Sequence, residues 1–405
     1  MVSAEEVSVP AAGNIQAGGV MNASNQHTDF TIVGGGPVGL YLAGILLQKN
    51  FSVTVLEQKK SIDKHSKSLG IHPVSLELFD EAGIVTSFLE NGLKIREGIA
   101  FLNDKKTGSV TFENCPKPYN YILALPQHQT EAILEKWVNN LSQETLIRNA
   151  TVKDIHQKDE LILIDYEKSG NVETVSSSYL IGCDGKNSFV RQAAGIEFTG
   201  KTYPDTYIMG DYSDNTDFGT RAAVYLHRAG LIESFPLPHS MRRWVVKTDR
   251  YIEHPERELL DGLVFDRIGH SLGEEENVML SSFGVQHHLA DSFYSNRIAL
   301  AGDSAHVVSP IGGQGMNLGW LTANRLAKAL EKCLAQPGKS EQHLQMYSRQ
   351  SRKIAKTVAR RAEVNMWLGR RRRFPFVRNS ITKLIVNTPL QNKMAKLFTM
   401  RGLVD

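Results

Sequence analysis

A glycine-rich turn directly after a short apolar segment constrains this chain more than any other feature of its sequence. Residues 29–47 read DFTIVGGGPVGLYLAGILL, in which Gly34, Gly36 and Gly39 fit the spacing G-x-G-x-x-G. In this pattern the first glycine permits a tight turn, the second lets a pyrophosphate approach the backbone, and the third lets helix and strand pack closely. Glu57 ends the next apolar segment, 18 residues after Gly39, where a carboxylate can accept hydrogen bonds from ribose hydroxyls. The segment predicts a β-α-β unit that binds a dinucleotide, without separating NAD from FAD.

The rest of the 405 residues indicates a chain of mixed α/β type. At roughly 150 residues per domain, this length corresponds to two or three domains. Short alternating strands are predicted over 151–182 and between 205 and 287, with a hairpin at 99–113 that turns at Asn103–Gly108. Helices are predicted from about residue 314 onward. A β-α-β start, an antiparallel middle and a helical end are typical of an α/β protein that carries a second, sheet-based domain.

Composition excludes several classes of protein. Cys115, Cys183 and Cys333 are far apart in the sequence, which excludes a disulfide framework and zinc-ligand spacing, so we expect no metal site. Residues 1–26 contain no Lys or Arg and no apolar core. They fit neither a signal peptide nor a transit peptide, and their composition predicts a disordered leader. The apolar run Ile32–Leu47 is shorter than a membrane span. We therefore expect a cytoplasmic protein.

Two further motifs make the prediction specific. Residues 179–191 read YLIGCDGKNSFVR, and residues 297–319 read RIALAGDSAHVVSPIGGQGMNLG. Together with GGGPVG at 34–39, they resemble the three fingerprints of the single-component FAD-dependent aromatic hydroxylases, the para-hydroxybenzoate hydroxylase-like flavoprotein monooxygenases. The resemblance implies a Rossmann-like FAD-binding domain, an inserted antiparallel-sheet substrate domain and a C-terminal helical tail. The implied boundaries are 1–26 for the leader, 27–92, 121–196 and 285–345 for the FAD-binding domain, 93–120 and 197–284 for the substrate domain, and 346–405 for the basic C-terminal helices.

The resemblance also implies which residues contact FAD. Asp303 matches the carboxylate that holds the flavin ribityl chain, and a helix starting near Gln314 would direct free N–H groups at negative charge on the flavin ring. Lys67 stands where the family carries an Arg, and Gln127 in LPQHQTEAIL matches a Gln on the flavin side of the site. For Arg191, a structural ion pair and a cofactor contact both stay open. The predicted FAD contacts are Gly34, Gly36, Pro37, Val38, Gly39, Glu57, Lys67, Gln127, Asp184, Gly185, Arg191, Gly302, Asp303, Pro310, Gly313, Gly315, Met316 and Asn317.

In the family that the chain resembles, NAD(P)H reduces FAD, dioxygen adds at flavin C4a, and the hydroperoxide hydroxylates an electron-rich ring. The resemblance thus implies a monooxygenase that uses NAD(P)H and dioxygen on an aromatic, phenolic or quinone-like small molecule. Pro310 lies in the predicted flavin loop and is a catalytic candidate. Tyr225 and His227 alternate onto one face of a predicted cavity strand, where either would accept a phenolic proton. His306 matches a frequent family His and is interpreted as structural.

Two other functions stay open on the sequence alone. A flavin-dependent reductase of a prenyl-type substrate shares the fold and parts of the fingerprints. A flavin-fold lipid carrier without catalysis would have lost its cofactor, and the presence of all three fingerprints argues against it. Flavin halogenases are disfavoured because their W-x-W-x-I-P segment is absent. The residues give no prediction of the oligomeric state, which stays unknown.

The C-terminal end is strongly basic. Residues 351–405 contain 14 Lys and Arg but only 2 acidic residues, and Arg370 to Arg373 are consecutive. Nucleic-acid binding is not expected, because no recognition motif accompanies the charge. Two interpretations stay open: helices packed on the catalytic body, or peripheral contact with the anionic inner face of a membrane. The apolar stripe that either would use consists of Ile381, Leu384, Ile385, Leu390, Met394, Leu397 and Phe398.

Overall fold

The computed structural model describes residues 27–63, 68–272, 279–369, 388 and 390–403. The predicted β-α-β start, with a strand at 29–33, a helix at 37–49 and a strand at 52–56, is confirmed to within two residues at each boundary. The strands of the described part are β1 His27–Val33, β2 Val53–Glu57, β3 Gly70–Ile71, β4 Leu93–Ile95, β5 Glu97–Leu102, β6 Lys105–Thr111, β7 Ile122–Ala124, β8 Leu146–Arg148, β9 Ala150–Gln157, β10 Ile162–Lys168, β11 Asn171–Gly182, β12 Phe198–Ser213, β13 Ala222–His227, β14 Gly230–Leu237, β15 Met241–Thr248, β16 Met279–Ala290, β17 Tyr294–Ser295, β18 Ile298–Leu300 and β19 His306–Val307. The helices are α1 Pro37–Leu47, α2 Pro73–Glu81, α3 Val85–Asn91, α4 Gln127–Leu141, α5 Phe189–Ala193, α6 Arg257–Ile268, α7 Gln314–Ala335, α8 Ser340–Gly369 and α9 Leu390–Phe398, with 3₁₀ turns at Gly302–Ser304 and Pro337–Lys339.

The first sheet is built around β1. Its order is β17-β18-β11-β1-β2-β8, and β10 and β9 continue antiparallel from β11. β1 pairs parallel with β2 and β11, and β11 pairs parallel with β18. Phe30 and Thr31 of β1 point to opposite faces of the sheet and are both fully buried, as expected where a parallel sheet is covered on both faces. Val33, Gly182 and Leu300 lie side by side at the ends of their strands. The three segments that follow them therefore meet at one edge of the sheet.

The second sheet has the order β19-β16-β12-β15-β14-β13-β5-β6 and is antiparallel except where β13 meets β5. Its strands come from the stretches predicted for the substrate domain, apart from β16 beyond residue 284 and the whole of β19, which come from the stretch predicted for the FAD-binding domain. One face, here called the α6 face, packs Ile208 and Trp244 against Leu260 of α6. The opposite face packs Val245 against Ile311, in the loop before α7, and is called the Ile311 face. That loop thus lies between the two sheets.

One local prediction needs a correction, and one helix was missed. The predicted hairpin at 99–113 is confirmed and its turn begins at Asn103, at φ 57°, but the turn ends before Lys105, where β6 starts, and does not extend to Gly108. Helix α6 was not predicted at all. Its buried Leu260 and Val264 stand four residues apart on one side, which is helical spacing, and the helix ends at Gly269 in the left-handed conformation that suits glycine there.

The described part of the tail packs on the body. Ala395 and Phe398 of α9 join an apolar cluster with Val110, Phe112 and Cys115. For residues 390–398, this arrangement agrees with the packed-helix interpretation of the apolar stripe. Arg370 to Arg373, together with Ile381, Leu384 and Ile385, lie outside the described residues. Among the described helices, none combines the length and apolar character that crossing a membrane requires.

Candidate functional site

The three strand ends are held together by contacts that only glycine permits. Gly34 has φ +106°, and a Cβ there would lie 2.4 Å from the carbonyl oxygen of Cys183. A Cβ on Gly39 would lie 2.0 Å from the carbonyl oxygen of Gly34. The turn after β1 is therefore pressed against both the end of β11 and the first turn of α1. This is the close packing that the glycine spacing predicts.

The N-terminus of α1 is open toward the strand ends. Gly36 is the N-cap residue, no side chain caps the helix, and Pro37 occupies its first turn. A Cβ built on Gly36 would meet no atom within 4 Å. The carbonyl oxygen of Pro37 accepts a hydrogen bond of 2.9 Å from the Trp320 indole, which ties this end of α1 to α7. Uncapped N–H groups and the positive end of the helix dipole at an open space favour an anion such as a pyrophosphate.

Glu57 lies at the end of β2 beside this turn, as predicted. Its side chain is only 9% exposed. Its Oε2 accepts a hydrogen bond of 2.6 Å from the Gly35 N–H, and its Oε1 accepts one of 2.8 Å from the Lys59 N–H. A carboxylate has about four acceptor positions. Glu57 can therefore hold the glycine turn and still accept hydrogen bonds from a ligand.

Asp184 follows β11 in a turn whose next residue, Gly185, has φ +80°. Its Oδ2 accepts a hydrogen bond of 3.1 Å from the Val190 N–H at the start of α5. Its Oδ1 is buried and has no hydrogen-bond partner in the described structure. Burial raises the pKa of this carboxyl. A buried acceptor without a partner costs free energy, so Asp184 suits a ligand that supplies a hydroxyl or N–H donor.

Arg191 is a structural link between two of the motifs. Its guanidinium donates 2.9 Å hydrogen bonds to the carbonyl oxygens of Ser304 and Lys186. The same group lies over the Phe198 ring, 3.9 Å from its centroid. Arg191 is 5% exposed, and burial lowers its pKa. These partners are main-chain carbonyls and not the carboxylate that a structural ion pair requires, and the cofactor contact stays a prediction.

Asp303 lies in the 3₁₀ turn after β18, between the buried residues Gly302 and Ser304. Its own side chain is exposed, yet desolvation raises its pKa to about 6, against a smaller lowering by Lys186. A carboxyl that solvent can reach, but that protein atoms surround closely enough to raise its pKa, lies at the bottom of an open cleft. The hydroxyl of Ser304 donates 2.6 Å to the carbonyl oxygen of Gly182, which fixes the turn to the end of β11.

A second uncapped helix points into the same region. α7 starts after Gly313, which has φ +65°, and no side chain caps it. Pro310, at the start of the loop, is exposed, and its carbonyl oxygen accepts a 2.9 Å hydrogen bond from the Gly313 N–H. Gly315 and Met316 follow in the first turn and are partly buried. The loop therefore presents a dipole that favours negative charge.

Val38 joins α1 to the other motifs. A Cβ on Gly302 would lie 3.3 Å from Val38, and one on Gly319 would lie 2.5 Å from it. The Val38 side chain thus fills the space between the turn after β18 and the helix α7. Val38 is only partly buried, and its role as a cofactor contact stays a prediction.

The Asn317 side chain is used entirely within the protein. Its Oδ1 accepts 2.8 Å hydrogen bonds from the His72 N–H and the Ser75 hydroxyl. Its Nδ2 donates to the carbonyl oxygens of Gly70 at 2.8 Å and Gly313 at 2.9 Å. Asn317 therefore fastens β3 and α2 to the loop before α7. Sequence reasoning had treated it only as a cofactor contact.

Another predicted contact, Gln127, has a hydrogen-bond partner within its own helix. Gln127 is the first residue of α4, and its side-chain amide donates to Glu131 Oε1 at 2.8 Å. Lys67 lies outside the described residues. His306 is buried, its Nε2 lies 3.1 Å from the Thr322 hydroxyl, and burial lowers its pKa to about 4. A neutral, hydrogen-bonded His306 agrees with the structural interpretation.

The structure does not bring Tyr225 and His227 to the cleft. They do share one face of β13, but it is the α6 face: Tyr225 stacks on Phe101 at 4.3 Å within the α6-face cluster. His227 Nδ1 accepts a hydrogen bond from the Ala229 N–H in the turn that follows. Leu226, between them, packs in the cluster that contains Ile311. The alternation was predicted correctly, but the face that meets the loop was not.

Comparison with known proteins decides the family. A family model described as FAD binding domain matches residues 27–362. The chain belongs to this family. Its resemblance to the aromatic hydroxylases is confirmed. The uncharacterized aromatic compound monooxygenase YhjG of Bacillus subtilis (strain 168) is 33% identical over 74% of this chain and 60% of its own length. The rifampicin monooxygenase of Streptomyces venezuelae is 30% identical over 72% of this chain and 61% of its own length.

Solved structures of two hydroxylating enzymes share the fold. The anhydrotetracycline hydroxylase OxyS of Streptomyces rimosus has a TM-score of 0.77 at 27% identity, over 93% of this chain and 76% of that one. The p-nitrophenol 4-monooxygenase PnpA of Pseudomonas putida DLL-E4 has a TM-score of 0.84 at 21% identity, over 94% of this chain and 98% of that one. The chain spans about three fifths of the length of the curated relatives it matches.

The described residues fit FAD. The open space at Gly36 beside the α1 N-terminus suits the pyrophosphate. The accessible carboxyl of Asp303 and the unpartnered Oδ1 of Asp184 suit hydroxyl donors such as those of the ribityl chain. The N-terminus of α7 after Gly313 suits the electron-poor ring end, which becomes anionic on reduction.

Proposed function

We propose that this protein is an FAD-dependent monooxygenase that uses NAD(P)H and dioxygen to hydroxylate an aromatic, phenolic or quinone-like small molecule. One observation carries the proposal: two uncapped helix N-termini and the carboxyls of Asp184 and Asp303 meet at one edge of the first sheet. The relatives named as monooxygenases and hydroxylases support it.

The protein's own residues would bind FAD and orient FAD and the substrate. Transfer of electrons from NAD(P)H to dioxygen is the chemistry that FAD supplies when bound. The turn at Gly34–Gly39 would hold the pyrophosphate, and Asp303 would accept a hydrogen bond from the ribityl chain. The loop that contains Ile311 lies against the Ile311 face of the second sheet. A substrate held between that loop and that face would be shielded from water, which oxygen transfer requires.

The proposal is tested on the purified protein in three steps. Visible absorption measures bound flavin, and aerobic oxidation of NADH and NADPH is followed with a panel of phenols and quinols. Mass spectrometry then asks whether a product gains one oxygen atom from isotopically labelled dioxygen. Flavin bands, substrate-stimulated NAD(P)H oxidation and label in the product are the expected result. Labelled product must also disappear when dioxygen is excluded.

Each alternative gives a different result in the same experiment. A reductase would consume NAD(P)H and reduce its substrate without dioxygen. A lipid carrier would remain colourless even after addition of FAD. The variant Asp303→Ala is expected to lose most of its bound flavin, whereas Asp104→Ala, in the exposed turn between β5 and β6, is expected to keep it. Equal flavin content in the two variants would contradict the assignment of Asp303.

A further inference from the structure

Among the described residues on the Ile311 face of the second sheet, one carboxyl lacks the ion pair that Asp205 and Asp211 make. Glu233 lies on β14 opposite Val224 of β13 and Val245 of β15. Because side chains alternate along a strand, Glu233 shares its face with Leu231, two residues before it. Leu231 and Val245 pack in the same cluster as Ile311 of the loop before α7. Glu233 is therefore directed to the side of the sheet that meets the predicted flavin loop.

The described residues around Glu233 provide no partner for its carboxyl group. Its side chain is 9% exposed, and it makes no hydrogen bond or ion pair within the described part of the chain. Its nearest neighbours on this face are apolar: Leu231 and Phe235 on its own strand, and Val224 and Val245 directly opposite on the strands beside it. Desolvation raises its pKa to about 7. Buried carboxyls are normally paired, because burial without a partner costs free energy.

Nearby charges on the neighbouring strands are already paired. Arg243 of β15 donates to both carboxylate oxygens of Asp211, at 2.6 and 2.8 Å. Lys247 of β15 lies 3.2 Å from Asp205. The Tyr207 ring of β12 also lies on this side, under the Lys247 ammonium group. β13 contributes apolar side chains, among them Val224 and Leu226, and the loop contributes Ile311. The region of this face around Glu233 thus offers a substrate one unpaired carboxyl and apolar walls.

We propose that Glu233 is a substrate-binding and catalytic residue that accepts the hydrogen bond, and then the proton, of a phenolic hydroxyl. In that step the phenolic O–H bond breaks, a carboxyl O–H bond forms, and the electron pair stays on the phenolate oxygen, which enriches the ring for attack. A substrate that places a carboxylate here would be repelled. The preferred substrate is therefore an uncharged phenol. This inference rests on the proposed monooxygenase function.

The first test compares ligand binding without NAD(P)H. The probes are a phenol that stimulates NAD(P)H oxidation, its methyl ether, and the same phenol carrying a ring carboxylate. Binding is measured from the change in flavin absorbance. The wild-type protein should bind the phenol at least about tenfold more tightly than either probe, because a polar partner rejects an analogue without the donor. Equal affinities for the phenol and its ether would overturn the inference.

The second test compares variants. Glu233→Gln keeps an acceptor oxygen but not the base, and Glu233→Leu removes both. Glu233→Gln should keep most of the phenol affinity, whereas its kcat should fall about 100-fold, the lower range for loss of a general base. For the wild type, kcat/KM should rise with pH through about 7, and this rise should be absent in Glu233→Gln. Glu160→Gln, at an exposed site near β10, is the matched control and should behave as wild type.

The outcomes separate the two proposals. If no aromatic compound stimulates NAD(P)H oxidation by the flavin-loaded protein, the proposed function is wrong. If aromatic compounds are hydroxylated but Glu233→Gln keeps the wild-type rate and pH profile, only the role of Glu233 is wrong. Thermal unfolding and flavin content are measured for each variant. Should Glu233→Leu not fold, Glu233→Gln, which has nearly the same shape, still decides the question.

Discussion

Replacing Glu233 by glutamine should stabilise the protein, and only above a certain pH. Burial raises the pKa of this carboxyl to about 7 in the folded protein, whereas in an unfolded chain it is about 4.3. Because the pKa is higher in the folded protein, the contribution of Glu233 to folding stability is fully present below about pH 4.3 and is lost as the pH rises through 7. Glutamine is neutral throughout and escapes this loss.

The size of the effect follows from the two pKa values. A tenfold difference in ionisation constant corresponds to about 1.4 kcal/mol, so Glu233→Gln should raise the free energy of unfolding by about 3 kcal/mol at pH 8 and by almost nothing at pH 4. Unfolding entropy is roughly 2 cal/mol/K per residue. For a chain of 405 residues, the difference in Tm should be about 3–4 °C at the higher pH.

The assay is thermal unfolding at saturating FAD and without substrate, between about pH 5 and pH 8.5. Glu160→Gln removes an exposed carboxyl and should leave Tm nearly unchanged. A Tm difference between Glu233→Gln and wild type that stays constant across this range would refute the reasoning. It would mean that Glu233 is already paired or hydrated in the folded protein.

Three further predictions concern the cleft. Gly36→Leu should fold but fail to bind FAD, because its side chain would enter the open space beside α1. Gly262→Ala, with equally open surroundings on α6, is the control. Circular dichroism measures folding and flavin absorbance measures bound FAD, and a normal flavin content in Gly36→Leu would contradict the prediction. Arg191→Lys should lower the free energy of unfolding by about 1–3 kcal/mol, since one ammonium cannot reproduce the planar guanidinium on two carbonyl groups; an unchanged denaturation midpoint would argue otherwise. The pKa of Asp303 is raised to about 6, so the protein should bind FAD more tightly as the pH rises through 6 and the carboxylate forms. In fluorescence titrations the Asp303→Asn variant should bind FAD more weakly and without this pH dependence. The same pH dependence in the variant would count against this role of Asp303.

The glycine pattern predicted the cleft well because its physics is local. A turn that needs φ +106° at Gly34 and a Cβ-free approach at Gly39 leaves little choice of residue, so the sequence reports the geometry directly. The same holds for Gly313, which starts α7 in the left-handed region. Where a backbone contact excludes every side chain, the glycine in a single sequence is enough to predict the local geometry.

The second sheet was harder to predict because both of its faces are buried. Alternation along β13 shows that Tyr225 and His227 share a face, but it does not say which face meets the loop at Ile311. On β14, most residues of both faces are apolar and each face carries one polar residue, Glu233 or Ser234, so the alternation does not show which face meets the loop. Glu233 was the available signal, since a charged residue in a mostly apolar strand needs an explanation. Arg191 shows a different gap: its partners are main-chain carbonyls, which no sequence pattern marks.

The parallel alignment of Val33, Gly182 and Leu300 has a consequence for how the protein folds. The cleft consists of the turn at 34–39, the segment 184–191 and the segment 302–319, which are separated by more than a hundred residues each. Contacts between such distant segments form slowly, because a long loop must close before they contribute. Local helices and hairpins should therefore appear early, and the capacity to capture flavin should appear last. Recovery of flavin fluorescence quenching during refolding would then time the closure of the first sheet.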